Sequence, residues 1–197
     1  MTDASHITLL PSLFSRVHAL APRVRLEVAT IDASMVSAMQ SGEGDLAMGF
    51  VPGLEAGFYQ QVLFGQDWIC LVNPRHPRAG QRFTLKDYLA EDHVGIVTGS
   101  GYRVLDAELK RQGVERSVLL ELPGFPGLPA ILSGSDMVAT LPRQIGETLA
   151  QSSGLQVLAC PLRLPSFTVK QHWHARYHND AANRWLRGIC SELFLRG

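Results

Sequence analysis

Long apolar runs, a cysteine framework and an excess of either charge are all missing from this 197-residue chain. Without an apolar stretch near the roughly 18 residues that cross a bilayer, no membrane-spanning helix is predicted. The opening Met1-Thr2-Asp3-Ala4-Ser5-His6 lacks the positive region of a secretory signal, and Pro11 interrupts the apolar run that follows. Eighteen basic side chains balance eighteen acidic ones, and no basic stripe marks a nucleic-acid-binding surface. If the protein regulates DNA, this chain is not expected to be the part that touches it. Cys70, Cys160 and Cys190 are widely spaced and form no Cys-x-x-Cys pair. They read as three buried apolar thiols in a reducing cytoplasm.

Catalytic signatures are missing too. Gly-x-Ser-x-Gly does not occur, and Gly99-Ser100-Gly101 is too short for a nucleophile elbow. Gly42-Glu43-Gly44 lacks the third glycine of a dinucleotide fingerprint and precedes a strand, not a helix. The chain reads as a binding protein, not an enzyme, with no cofactor. His172 and His174 share a strand face with His178 close behind, but no carboxylate or cysteine at suitable spacing completes a metal site. One histidine is expected to be a satisfied strand residue and the other a surface one.

What is present is a regular alternation of helix and strand periodicity. Leu9, Leu10, Leu13, Phe14, Val17 and Leu20 recur at helical spacing up to Pro22. Val24, Leu26 and Val28 alternate with Arg25 and Glu27 as a half-buried strand would. A short helix at Met35 to Met39 ends at Gly42, and strands follow at Leu46 to Phe50, Phe58 to Phe64 and Trp68 to Val72. Thr84 caps a helix to Ala90. The series restarts with a strand at Val94 to Val97, a Thr98-Gly99-Ser100-Gly101 turn and a helix from Val104 to Gln112. Strands at Val118 to Leu122, Met137 to Thr140, Val157 to Ala159 and Val169 to Arg176 alternate with helices near Pro129 and Pro142, and Asp180 caps the last helix. Such alternation predicts an α/β fold with mainly parallel sheets. Two series predict two lobes, with ligand binding outside the carboxyl ends of the strands.

Several segments carry a family resemblance through their order and spacing. They are Leu10-Pro11, Ala21-Pro22, Ser41-Gly42-Glu43-Gly44-Asp45-Leu46-Ala47, Gly57-Phe58-Tyr59-Gln60, Leu63-Phe64, His76-Pro77 and Val138-Ala139-Thr140-Leu141-Pro142. The set closes with Trp173-His174-Ala175-Arg176-Tyr177-His178-Asn179-Asp180 and Asn183-Arg184-Trp185-Leu186-Arg187. Over nearly its whole length the chain resembles the ligand-sensing domain of LysR-type transcriptional regulators, and is similar to the branch that responds to small aromatic acids.

The resemblance implies a two-lobed fold of the type 2 periplasmic-binding-protein kind, crossed twice by the chain. Lobe I is expected at 1–94 plus 170–197 and lobe II at 95–169, with crossings near Val94 to Val97 and Phe167 to Lys170. It implies a small-molecule effector in the interlobe cleft, an aromatic acid by similarity, and a homodimer or tetramer. The dimer would pair the Leu9 to Leu20 helix of one chain with a second-lobe helix, such as Pro142 to Ala150, of the other. DNA would be reached only through an N-terminal winged helix-turn-helix domain missing from these residues. In the family a central first-lobe strand precedes the first helix. This chain starts near the end of that strand, so Met1 is expected to be a cut point and the first-lobe sheet to have a gap there or to borrow a strand.

The effector-binding residues expected on these grounds are Ser5, His6, Pro52, Thr98, Ser100, Gly101, Tyr102, Gly124 and Phe125. Helix N-termini at Asp3 to His6 and at Thr98 to Tyr102 would hold a carboxylate. Ser5, Thr98 and Ser100 would add hydroxyls, Phe125 would stack on a ring, and Pro52 would line the opposite wall. Ser5 as a helix cap and Phe125 as a core residue are the competing readings. Relatives that bind salicylate-like effectors tend to carry His where Tyr102 and Gly124 align, which points to a bulkier or less anionic effector here. A free-standing solute-binding protein on the same fold is the alternative.

Overall fold

The computed structural model describes residues 1–54 and 56–195. The chain runs α1 (Asp3–Thr8), α2 (Leu10–Leu20), α3 (Met35–Ser41), β1 (Ala47–Gly49), β2 (Phe58–Gln66), β3 (Trp68–Val72), α4 (Leu85–Ala90) and β4 (Asp92–Ile96). It continues through α5 (Gly99–Gln112), β5 (Ser117–Leu122), α6 (Leu128–Ser133), β6 (Val138–Pro142), α7 (Arg143–Ser153), β7 (Gln156–Ala159), β8 (Phe167–His174), a 3-10 turn (Ala175–Tyr177) and α8 (Ala181–Phe194). It divides into two compact units: Met1–Gly65 with Thr168–Gly197, and Gln66–Phe167.

In the first unit, Pro11 sits in the first turn of α2, where a missing N–H leaves no helical bond unmade. The helix buries Leu13 and Val17. It stops at Leu20 because Ala21, preceding Pro22, is pushed out of the helical region (φ −145°, ψ 74°). Asp180 caps α8 by accepting the Asn183 backbone N–H at 2.8 Å, and α8, which buries Ile189, Cys190 and Phe194, packs on α2. The sheet has the order β1-β8-β2, with β1 antiparallel to β8. Gln171, fully buried on β8, donates to Gln61 Oε1 at 2.7 Å and to Ser191 Oγ at 3.1 Å, tying both strands to α8.

The second unit has the sheet order β5-β4-β6-β3-β7. Strand β4 runs parallel to β5 and β6, whereas β3 runs antiparallel to β6 and β7. Its core gathers Trp68, Val72, Phe83, Tyr88, Leu105, Leu109, Val138, Leu158 and Leu162. A capping box starts α4: the Thr84 hydroxyl accepts from Asp87 N–H and the Asp87 carboxylate accepts from Thr84 N–H. His76 staples the loop after β3. Its Nδ1 accepts from Arg78 N–H (3.1 Å), so Nε2 carries the proton and donates to Asp136 O (2.9 Å).

Three expectations are corrected. Residues 24–28 belong to no strand, and Val24 and Val28 are exposed. Just past this segment, Met1 donates its amino group to Ala29 O (2.6 Å) and accepts from Ile31 N–H (3.1 Å). Thr2 N–H then bonds Met48 O (3.1 Å), so just two residues link this segment to β1, too few for a ladder. Secondly, the sheets are mixed and not mainly parallel, because β3 runs antiparallel to β6 and β7, and β8 antiparallel to β1. Thirdly, the first crossing falls at Gly65–Gln66 and not near Val94 to Val97: β3 is hydrogen-bonded to β6 and β7, which puts everything from β3 onward in the second unit. The second boundary between the units falls at Phe167–Thr168.

Candidate functional site

In the second unit the candidate residues arise from two neighbouring chain reversals. Parallel strands β4 and β5 end side by side, and Val97 N–H bonds Leu122 O at 3.0 Å. From that edge the chain enters α5 on one side and the Pro123–Gly127 loop on the other. Thr98 Oγ1 donates to Pro123 O at 2.9 Å and locks the two together. Thr98, Ser100, Gly101, Tyr102, Gly124 and Phe125 are thereby brought into adjacent segments at the carboxyl edge of the sheet, where open α/β folds bind ligands.

Each residue has a definite setting. The helix starts at Gly99, earlier than the periodicity indicates, so Ser100 and Gly101 lie in its first turn. Gly99 takes φ +79°, a conformation that L side chains rarely adopt. Thr98 is the N-cap, but its hydroxyl is committed to Pro123 and makes no cap bond, so the expected ligand donor is already occupied. Ser100 is half-buried, and its Oγ accepts from Arg103 Nη2 at 3.1 Å, leaving its own proton free to donate. Arg103 was not singled out from the sequence. It lies three residues on, on the same helical face, and it places a cation beside the positive end of α5. Phe125 is only 9% exposed, so the core reading describes most of its ring.

The first unit holds Ser5, His6 and Pro52, and its geometry departs from expectation. Ser5 lies inside α1, and the N-cap is Thr2. The two hydroxyls stand 2.8 Å apart in a part-buried pair. With six residues, α1 is too short to carry a helix dipole of note. His6 is half-buried, and its Nε2 has no partner among the described residues. Pro52 occupies an exposed turn after β1.

The strand histidines also differ from expectation. His174 is the satisfied one, with Nδ1 accepting from Arg176 N–H at 3.3 Å. His172 is fully buried, not at the surface, and neither ring nitrogen has a partner among the described residues. Burial lowers its pKa to about 4, so it is neutral. Among the described residues no group of three or more His, Cys, Asp or Glu could hold a metal ion.

Residues 1–194 match the family described as LysR substrate binding domain. The chain belongs to that family. As a LysR substrate-binding domain it is 34% identical over 196 residues to the HTH-type transcriptional activator NahR of Pseudomonas putida, covering 98% of this chain and 65% of the relative. Against the HTH-type transcriptional activator NagR of Ralstonia sp it is 33% identical over 196 residues, with the same two coverages of 98% and 65%. The domain thus spans just under two thirds of the length of these curated relatives.

Solved structures agree. The regulatory domain of MexT, a transcriptional activator in Pseudomonas aeruginosa, superposes with a TM-score of 0.82 at 30% identity, over 97% of this chain and 96% of that one. The regulatory domain of Synechocystis PCC6803 CcmR, solved in complex with 2-PG, gives 0.78 at 17% identity over 98% and 94%, a likeness of fold alone. The α/β fold of the type 2 periplasmic-binding-protein kind is therefore shown for this LysR substrate-binding domain. No helix among the described residues is long and apolar enough to cross a membrane.

Proposed function

We propose that this effector-binding domain senses a small aromatic carboxylate. The observation that carries the reading is the first turn of α5. There the unpaired backbone N–H groups, the Ser100 hydroxyl and the Arg103 guanidinium come together at a sheet edge beside the buried Phe125. A carboxylate accepts from the N–H groups, Ser100 and Arg103, while the aromatic ring meets the exposed edge of Phe125 and Tyr102. The effector shifts the regulator only by its differential affinity for two conformational states. In the whole protein, DNA is reached through a helix-turn-helix part outside these 197 residues. The domain pairs as a homodimer through α2, whose Phe14 is 52% exposed, and α7.

The test is thermal melting against salicylate, benzoate, bulkier aromatic acids and their amides. A ligand that binds the folded state raises the midpoint by mass action. Acids are expected to stabilise and amides not to, with the shift lost in Arg103→Ala and halved or worse in Ser100→Ala. A shift confined to sugars, amino acids or inorganic anions would defeat the aromatic-acid reading and favour a solute-binding protein on the same fold.

A further inference from the structure

Two of the three thiols are neighbours. Strand β7 pairs antiparallel with β3 in the register Ile69↔Ala159 and Cys70↔Leu158. Cys160, one residue past β7, stands two positions along from Leu158 and therefore on the same sheet face as Cys70. That register makes the two residues diagonal neighbours across the β3–β7 pair. They differ in access: Cys70 is fully buried, while Cys160 is only half-buried. A polar chain backs the pair within the core. Cys70 Sγ contacts Thr140 Oγ1 at 3.9 Å, the Tyr88 hydroxyl meets Thr140 Oγ1 at 2.9 Å, and Arg116 donates to the Tyr88 hydroxyl at 3.4 Å. The Cys70 thiol, the Leu162 backbone N–H and the nearby Arg116 charge favour the thiolate at Cys160, whose pKa falls below the ordinary thiol value against the opposing pull of burial. Cys70 shifts upward and keeps its proton.

We propose that Cys160 is a hydroperoxide-reactive thiol and that Cys70 resolves it to an intramolecular disulfide. The Cys160 thiolate attacks one peroxide oxygen and the O–O bond breaks. The departing oxygen leaves with a proton as water or an alcohol, and Cys160 becomes a sulfenic acid. The Cys70 sulfur then attacks the Cys160 sulfur and the S–O bond breaks. The hydroxide leaves with the Cys70 proton as water, and an S–S bond remains. Two thiols supply the two electrons that reduce the peroxide. Diagonal neighbours across an antiparallel pair lie about 7 Å apart at Cα, and a disulfide prefers about 6 Å, so closure draws β7 toward β3 by about 1 Å. As the outer strand of its sheet, β7 is hydrogen-bonded to a strand on one side only, β3. Cys190 serves as the internal control: burial pushes its pKa up to about 12, so it stays protonated and unreactive toward peroxide.

The experiment uses the reduced protein, treated with hydrogen peroxide at a few equivalents, denatured, and titrated for free thiol. Two of the three thiols are expected to disappear, with recovery by dithiothreitol, and peptide mapping without reduction should show one Cys70–Cys160 bridge. In Cys70→Ala, dimedone should label Cys160, and Cys190→Ser should leave the two-thiol loss unchanged. Three thiols persisting in the treated wild-type protein, oxidation at Cys190, or a bridge between two Cys160 residues of different chains would overturn the proposal. The wild-type map decides even if Cys70→Ala fails to fold. None of these readouts depends on which effector the domain binds.

Discussion

Phe125 and Arg103 show how differently side chains carry information about a site. An aromatic between prolines and glycines draws notice, and the sequence leaves open whether its ring faces a ligand or the core. With 9% of its surface exposed, Phe125 does mostly the second. Truncating a buried phenylalanine costs about 3–5 kcal/mol. Phe125→Ala is therefore expected to lower the denaturation midpoint by a margin of that order, and Phe125→Leu by much less. If both variants keep wild-type stability, the ring is not part of the core. Arg103 is the reverse case. An arginine on an exposed helix face looks like ordinary solvated charge until its guanidinium is seen 3.1 Å from Ser100. Only the helix starting at Gly99 reveals this, because moving the first turn forward changes which residues share its face.

At the level of elements, the sequence was most legible where periodicity, caps and breakers agree. The Thr84 capping box, the Gly42 and Gly113 helix ends and the Asp180 cap all stand where their residue types predict. It was least legible where pairing decides. Alternation at Val24 to Val28 states only that one face would be apolar, and a strand also needs a neighbour. Strand direction is likewise invisible: β3 resembles any buried apolar run, yet it is antiparallel to both partners. Close approach of elements is hidden too. A Cβ at Gly146 on α7 would clash with Ile69 Cδ1 and stand 2.9 Å from its Cγ1 on β3, whereas one at Gly188 on α8 would meet nothing within 4 Å. Alanine gains up to about 1 kcal/mol over glycine in a helix, and overpacking a core costs about 1–3 kcal/mol. Gly188→Ala should therefore stabilise, while Gly146→Ala should destabilise despite the same propensity gain. Equal shifts in urea denaturation would show that α7 does not rest on β3 as described.

Across the whole molecule, each unit contains a fully buried histidine whose pKa burial lowers, His172 in the first and His93 in the second. Burial lowers both pKa values from 6.5 to about 4. His93 Nε2 bonds the Tyr88 carbonyl at 2.8 Å and so carries the ring proton, while its Nδ1 is unpartnered among the described residues. Both rings are neutral in the fold and gain a proton on unfolding below about pH 6.5. Between roughly pH 6.5 and 4 the unfolded chain thus binds more protons than the folded one, and stability rises with pH through that window. The contribution is complete above pH 6.5 and is lost as pH falls toward 4. At about 1.4 kcal/mol per pKa unit, each histidine accounts for at most about 3.5 kcal/mol. Denaturation midpoints should be level from pH 8 to 7 and fall steeply below 6.5, in both units. His172→Leu removes two unpartnered nitrogens at little cost in volume, so it should hold or raise stability at pH 7.5 and weaken the acid loss, because one of the two protonations is gone. An acid slope unchanged in that variant would mean that His172 is already protonated or reached by water in the fold, and the decline would then rest on His93 and the carboxylates.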